Sequence, residues 1–460
     1  QLHFLRQMQK RENFGSRFAV IMAMAGSAIG LGNIWRFPYM VGEGGGAAFI
    51  IIYLISTLVL SMPIFFSESI IGRSAQSGAI GAMEKFAPGS KWKWLGYITI
   101  ISPLILVSYY SVVGGWSFEF MLKAFALDFN GSSPEGVKQM FGNFISRDWA
   151  PLICHTIFIG LTCLIVLAGV RKGIEAFSKL TMPVLFILIV LIMFYSVSLP
   201  GSAEGLQYML KPDFSKIDGR CITSAMGQSF FSLSLGVGTI LTYSSFVKKD
   251  EDLLGSGLGT AFFDLMFAML AGFAVMPAVF AAGIEPGAGP GLIFETLPFI
   301  FAKMGTGAPL LSAIAAILFF VAVFVAALTS SISMVQVGVS YLMEQKGLSK
   351  GKSVAVIFLG TWTLGVLCSL SFGRLGSFHI LGCSIFDFCD KLVSNYLMAI
   401  GGLFFTLFVG WKMNPQTVRE EFTGKGSRRI NGIIYPTVRF LIRWVAPLGI
   451  IVIFLSNLFL

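Results

Sequence analysis

The sequence predicts an all-α polytopic membrane protein, one bundle of eleven crossings. Three observations carry that prediction. Of 460 residues, 55% are hydrophobic and only 12% are charged, against roughly 25% charged in soluble domains. Mean hydropathy is +0.80. Apolar runs recur that approach or exceed the ~20 residues a helix needs to cross a bilayer, and they are too long for the strands of a membrane barrel.

The runs fall, in order, at 14–41, 47–73, 94–126, 151–170, 173–199, 221–246, 254–283, 307–344, 352–371, 380–411 and 433–460. Several exceed the minimum span, so tilt or extension beyond the bilayer is expected. The longest connections on one side are 127–150 and 200–220. A third, 284–306, carries Glu285-Pro-Gly-Ala-Gly-Pro-Gly291 followed by an apolar stretch. Pro and Gly stop a span there while the apolar part still needs cover, which reads as a re-entrant or lid loop.

The net charge of +10 does not call for nucleic acid. Lys10, Arg11, Lys91, Lys93, Lys248, Lys249, Arg428 and Arg429 all lie in alternate connections, as the positive-inside rule requires. The expected partner is the lipid bilayer, with a cytoplasmic N-terminus and, after eleven crossings, an extracytoplasmic C-terminus. Cys154, Cys163, Cys221, Cys368, Cys383 and Cys389 lie mostly in apolar runs at no metal-like spacing, and read as small buried residues.

Two runs are poor membrane helices. The first contains Gly26-Ser-Ala-Ile-Gly-Leu-Gly-Asn-Ile-Trp-Arg-Phe-Pro-Tyr39, with three glycines, an asparagine, an arginine and a proline where Leu and Val are expected. The sixth contains Gly227-Gln-Ser-Phe-Phe-Ser-Leu-Ser-Leu-Gly-Val-Gly238. Backbone groups freed within a bilayer survive only inside protein or beside an aqueous cavity. A broken helix offers carbonyls to cations and N–H groups to an anion. Breaks in runs one and six, five apart, predict a 5+5 inverted repeat with a midplane site. The halves would be 14–199 and 221–411, with 433–460 outside the repeat. The Thr-Ser-Ser of run eight has two readings: hydroxyls bonding back to their own helix or joining helix pairs, or cation ligands.

Enzyme chemistry is not expected. His3, His155 and His379 are scattered, and no nucleophile–base spacing, metal motif or phosphate-binding Gly-x-x-x-x-Gly-Lys-Ser/Thr loop occurs.

With these residues the chain closely resembles the neurotransmitter:sodium symporter family, above all its bacterial amino-acid transporters with the LeuT fold. The likeness covers nearly the whole chain. Besides the first broken run it includes Gly44-Gly-Gly-Ala-Ala-Phe49, Tyr109-Tyr110, Gln228-Ser-Phe-Phe-Ser-Leu-Ser-Leu-Gly236 and Ala327-Leu-Thr-Ser-Ser-Ile332. That fold is the standard instance of broken-helix ion sites, so the expectations below come with the resemblance. They are a single transporter domain, a prokaryotic plasma membrane, and import of a small-molecule amino acid with two Na+ by alternating access. A channel or ligand-sensing receptor built on the same site is the alternative.

For the first sodium the resemblance implies the Ala28 carbonyl, Asn33, Ser232 and Asp264, completed by the substrate carboxylate. For the second it implies the carbonyls of Gly26, Ile29 and Ala326 with the hydroxyls of Thr329 and Ser330. Asp264 departs from the asparagine common in the family. It is expected to supply the negative charge that chloride provides in animal relatives, making transport chloride-independent. The substrate carboxylate should meet the N–H groups near Leu31 and Gly32 and the Tyr110 hydroxyl. The ammonium should meet carbonyls around Ala28, Phe231 and Ser234. Gly30 stands where monoamine-transporting relatives carry aspartate, which favours an α-amino acid. Leu106, Phe231, Val237, Ser330 and Met334 would line an apolar side-chain pocket, and Val237 and Met334 suggest tolerance of large, even aromatic, side chains.

The implied outer gate is Arg36 with Asp390, capped by Tyr110 and Phe231, with Asp387 nearby. The implied inner gate is Arg11 with Glu344, aided by Phe14, Ser245 and Phe246. Glu68 is expected to bond freed N–H groups of the broken helices. Gly173 and Pro183 either mark a helix that unwinds to admit water or are an ordinary cap and kink.

Overall fold

The computed structural model describes residues 12–129, 132–283, 293–304 and 309–459. Among them the structure is helical, with one isolated bridge, Ile380 to Cys383. Among the described residues nine helices are long and apolar enough to cross a membrane: Ala47–Ala75, Lys93–Phe125, Trp149–Leu167, Val170–Val197, Leu253–Ala281, Pro309–Lys346, Lys350–Leu370, Ile385–Lys412 and Arg429–Leu458. They are spans 2 to 5 and 7 to 11. Span 1 is a bent pair, Arg17–Ala28 and Gly32–Glu43, meeting at 58°. Span 6 is Gly219–Ser232 and Thr239–Ser244, separated by non-helical residues. The Glu285–Gly291 loop lies outside the described residues.

The breaks fall where the sequence predicts, and each has a local cause. Span 1 stops at Ile29, whose backbone is extended (φ −72, ψ 107), its N–H still held by the Ala25 carbonyl. The next N–H, of Gly30, is taken by the Asn33 side chain at 3.2 Å, so the asparagine caps the second arm from within. Gly30 itself lies so close to Ser330 and Tyr110 that a methyl there would fall on both hydroxyl oxygens. In span 6 the chain turns through Ser234, Gly236 and Gly238, all at positive φ. Gly236 packs backbone-to-backbone on Met398 of span 10, and a Cβ would collide with the Met398 carbonyl.

Buried Glu68 of span 2 accepts the Gly236 N–H at 2.7 Å and the Leu241 N–H at 3.3 Å. One carboxylate thus satisfies two donors that the span 6 break would orphan in a low-dielectric interior.

Several boundaries differ from expectation by a few residues. Span 10 starts at Ile385, because Leu381 and Gly382 turn at positive φ and Ser384 caps the helix through Asp387 N–H. Span 5 starts with a π-helical turn, Val170–Glu175, and continues through Pro183 to Val197. The Gly173–Pro183 stretch is therefore helical in this conformation. Span 11 starts at Arg429 rather than 433. Spans 3 and 8 pack along each other, as do spans 5 and 7, around the two broken spans.

A candidate ion and substrate site between two broken spans

Two oxygen clusters form at the break of span 1. The first joins spans 1, 6 and 7. Asn33 Nδ2 donates to Asp264 Oδ1 at 2.7 Å and to Ser232 Oγ at 3.2 Å. The Ser232 hydroxyl lies 3.0 and 2.8 Å from the two Asp264 oxygens. All three side chains are buried, Asp264 and Asn33 completely. No cationic side chain among the described residues reaches Asp264 within 4.0 Å. A buried carboxylate without a counter-charge costs several kcal/mol, so a small cation is the compensation the geometry invites. Asn33 Oδ1 keeps a second lone pair beyond the one used by Gly30 N–H.

The second cluster joins spans 1 and 8. Thr329 Oγ1 lies 3.4 Å from the Ile29 carbonyl and 2.9 Å from that of Ala326. Ser330 Oγ lies 3.1 Å from the Ile29 carbonyl and 3.5 Å from that of Gly26. All five groups expected for the second ion thus converge. Every one is a neutral oxygen, the hard-ligand set that suits an alkali or alkaline-earth cation.

Between the clusters, the Leu31 N–H donates to the Tyr110 hydroxyl at 3.2 Å. Ser234 donates to the Ser27 carbonyl at 3.0 Å, tying the two breaks together. Gly32 faces the Phe231 ring so closely that a Cβ there would lie 3.1 Å from it. Leu106 lies one turn before Tyr110 on span 3, Met334 one turn after Ser330 on span 8, and Val237 inside the span 6 break. All three are buried, as is Ala28.

Sequence reasoning passed over three contributors. Tyr53 donates to Ser232 at 3.2 Å. Gln228 donates to the Gly32 carbonyl at 3.2 Å. Ser27 bonds Ser333 at 2.8 Å. Their common signal is a polar side chain at an interior position of an apolar span.

The two ends of the site differ. At one end the expected Arg36–Asp390 pair is not closed, because the two side chains stop short of ion-pair distance. Arg36 lies over the Phe231 ring, 4.6 Å from its centroid, and Asp390 accepts from Ser394 at 2.9 Å. Arg36, Phe231 and Ser394 instead line a cavity of about 330 Å³ between spans 1, 6, 10 and 11. Asp387 is occupied by Ser384 as a helix cap. At the other end, Arg11 lies outside the described residues. Glu344 accepts the Gly78 N–H at 2.7 Å. Phe14 is buried edge-on against Tyr243 and Phe246, and its N–H bonds the Phe246 carbonyl. Ser245 bonds the Thr242 carbonyl within the same helix end.

The comparisons with known proteins bear on the family and the fold. The model of the sodium:neurotransmitter symporter family matches residues 11–134 and 137–459. The chain belongs to that family. It is 37% identical over 448 residues to YhdH, an uncharacterized sodium-dependent transporter of Bacillus subtilis, covering 97% of this chain and 98% of the relative. A sodium-dependent transporter of Haemophilus influenzae is 35% identical, covering 98% and 99%. Among solved structures, MhsT in complex with L-phenylalanine superposes with a TM-score of 0.88 at 37% identity, covering 97% of this chain and all of that one. This member of the symporter family is thus a sodium-dependent transporter of the LeuT fold, with spans 1 and 6 unwound, and not an enzyme.

Proposed function

We propose that this transporter is a symporter that moves one hydrophobic L-amino acid, aromatic ones included, together with two sodium ions. The observation that carries the reading is the meeting of the Gly26, Ile29 and Ala326 carbonyls with the Thr329 and Ser330 hydroxyls at the span 1 break. The second sodium would sit there. The first would sit among Ala28, Asn33, Ser232 and Asp264, its shell closed by the substrate carboxylate.

Tyr110 and the N–H groups near Leu31 and Gly32 would hold that carboxylate. Carbonyls around Ala28, Phe231 and Ser234 would receive the ammonium. A side chain would enter among Leu106, Phe231, Val237, Ser330 and Met334. The apolar lining supports a hydrophobic cargo, and the phenylalanine bound by MhsT supports an aromatic one. The lack of room at Gly30 argues against a site that adds a carboxylate there for a bare amine. Asp264 would hold the charge that chloride supplies elsewhere, so transport would not need chloride. Glu344 with Arg11, and Arg36 with Asp390, would close in alternation, in a cell membrane with the N-terminus cytoplasmic.

The test is uptake of a radiolabelled amino-acid panel into proteoliposomes with and without an inward sodium gradient. Concentrative uptake of phenylalanine, leucine, tyrosine or tryptophan only with the gradient is expected. Uptake that merely equilibrates would point to a channel-like or sensing use of the site. A preference for glycine or alanine would overturn the hydrophobic cargo.

A further inference from the structure

The basic side chains near the N-terminal end of the bundle fall into two groups. One group is neutralised within the protein. Arg17 and Arg428 each lie 3.8 Å from Asp252. Arg73 and Lys249 pair with Glu421 at 2.9 and 2.6 Å, and Lys350 pairs with Glu12 at 3.3 Å. Among the basic side chains without such a partner, Lys412, Arg439 and Arg443 gather where spans 10 and 11 meet. No carboxylate among the described residues reaches any of the three within 4.0 Å.

Arg443 is seated in an aromatic bed. Its guanidinium lies 4.0 Å from the Trp411 ring and 5.8 Å from that of Trp444. The two indoles meet edge-on at 4.8 Å. Trp411 Nε1 donates to the Arg443 carbonyl at 3.3 Å. Gly410 lets the span 10 backbone come within about a methyl of the Arg443 Cα. The guanidinium Nε is buried against the protein with no acceptor. Both tryptophans stay half-exposed, at 50% and 48%.

The depth of this group is fixed by the helices. Trp411 is the penultimate residue of span 10. Span 11 rises about 18 Å through Arg429–Phe440 before reaching Arg443, and that stretch shows Ile430, Ile433 and Phe440 to its surroundings. The remainder, from Leu441 to Leu458, is about 27 Å long, close to one hydrocarbon core. On that count Arg443 and the indole pair would lie at the boundary between core and headgroups, where Trp is the preferred residue.

From this we infer that Arg443, bedded on Trp411 and Trp444 and flanked by Lys412 and Arg439, binds the phosphate of an anionic phospholipid. A planar guanidinium matches a phosphate's oxygens in a way a zwitterionic choline headgroup dilutes. Arg439 already holds the Tyr435 hydroxyl at 3.0 Å and keeps further donors. The acyl chains would lie along the exposed Leu448, Ile451 and Val452 of span 11.

The experiment is native mass spectrometry of lipid retained by the full chain after extraction from phosphatidylcholine vesicles with an equal part of phosphatidylglycerol. Wild type should retain phosphatidylglycerol above its share. Arg443→Gln should lower that retention about fivefold, the weight of one basic residue at an anionic surface. Lys93→Gln, an exposed basic residue at the start of span 3, should leave it unchanged. Equal retention by Arg443→Gln and wild type, or an equal loss in Lys93→Gln, overturns the site. Inorganic phosphate should not displace the lipid; displacement would mean a free-phosphate site and overturn the lipid assignment. If Arg443→Gln does not fold, Trp411→Leu keeps the charge but removes the bed. It must weaken retention in the same direction, and unchanged retention overturns the proposal.

Discussion

The two oxygen clusters at the span 1 break are built from opposite materials. One contains a fully buried carboxylate, Asp264, bonded by Asn33 and Ser232. The other is made only of carbonyl and hydroxyl dipoles, from Gly26, Ile29, Ala326, Thr329 and Ser330. A fixed charge at short range outweighs several dipoles in a water-poor interior. The first cluster therefore attracts a cation by its own charge. The second needs every ligand in place, so it is the one that opening the helices around it weakens most. The two clusters thus act differently. In the proposed mechanism the charged one would anchor ion and substrate together, and the neutral one would report whether the bundle is closed.

Removing the charge should break that division most severely. Asp264→Ala removes the buried carboxylate that would face the proposed first sodium, a loss of about 3 kcal/mol or a hundredfold in sodium affinity. Sodium-dependent uptake in proteoliposomes should fall to background. Asp264→Asn keeps the shape and removes the charge, and its uptake should recover in part when chloride is present and not in gluconate. Wild-type uptake should be the same in both salts, and chloride-dependent wild-type uptake would defeat the assignment of Asp264. In the neutral cluster, Thr329→Ala and Ser330→Ala each remove one dipole, about 1 kcal/mol or five- to tenfold in the sodium concentration for half-maximal uptake. The double variant should lose more than the sum of the two, because a cation with fewer neutral ligands has no charge to fall back on.

What can be read from the chain alone follows the range of the interactions. The breaks are legible because they are local: Gly30 with Asn33, and Gly236 with Gly238, carry their own backbone preferences. The five neutral groups expected at the second ion follow from the family resemblance, and their convergence depends on spans 1 and 8 packing closely. The open outer pair is not legible. Arg36 chooses Phe231 over Asp390, a matter of conformation that residue types do not encode. The apolar run puts the start of span 10 too early, because it continues through Leu381 and Gly382, where the chain turns, and Ser384, which caps the helix. Tyr53, whose partner Ser232 is remote in sequence, has no local signature beyond a hydroxyl in an apolar run.

The smallest expected effect lies at the edge of the neutral cluster and sharpens the comparison further. That cluster contains no titratable group, so any acid sensitivity on its side must come from what holds its surroundings. Gly26 packs against Ser178 and Met182 of span 5, and two carboxylates pin the start of that span to the chain before span 1. Glu12 accepts the Val170 N–H at 2.6 Å and pairs with Lys350, while Glu175 accepts the Gly15 N–H at 2.9 Å. Burial alone would raise the Glu12 carboxyl, but the Val170 N–H and the Lys350 ammonium outweigh it and hold it below its ordinary 4.5. A depressed carboxyl stabilises the folded state fully above its unfolded value and loses that contribution as pH falls through its folded value. The latch should therefore be indifferent between neutral pH and about 4.5, and release below it. Glu12 is largely exposed, so its share is under about 1 kcal/mol after screening. Hydrogen exchange at Val170 should rise a few-fold in Glu12→Gln at neutral pH and lose its acid transition, with sodium affinity at Asp264 unmoved. An equal shift at both clusters would mean that span 5 does not act on the neutral one alone.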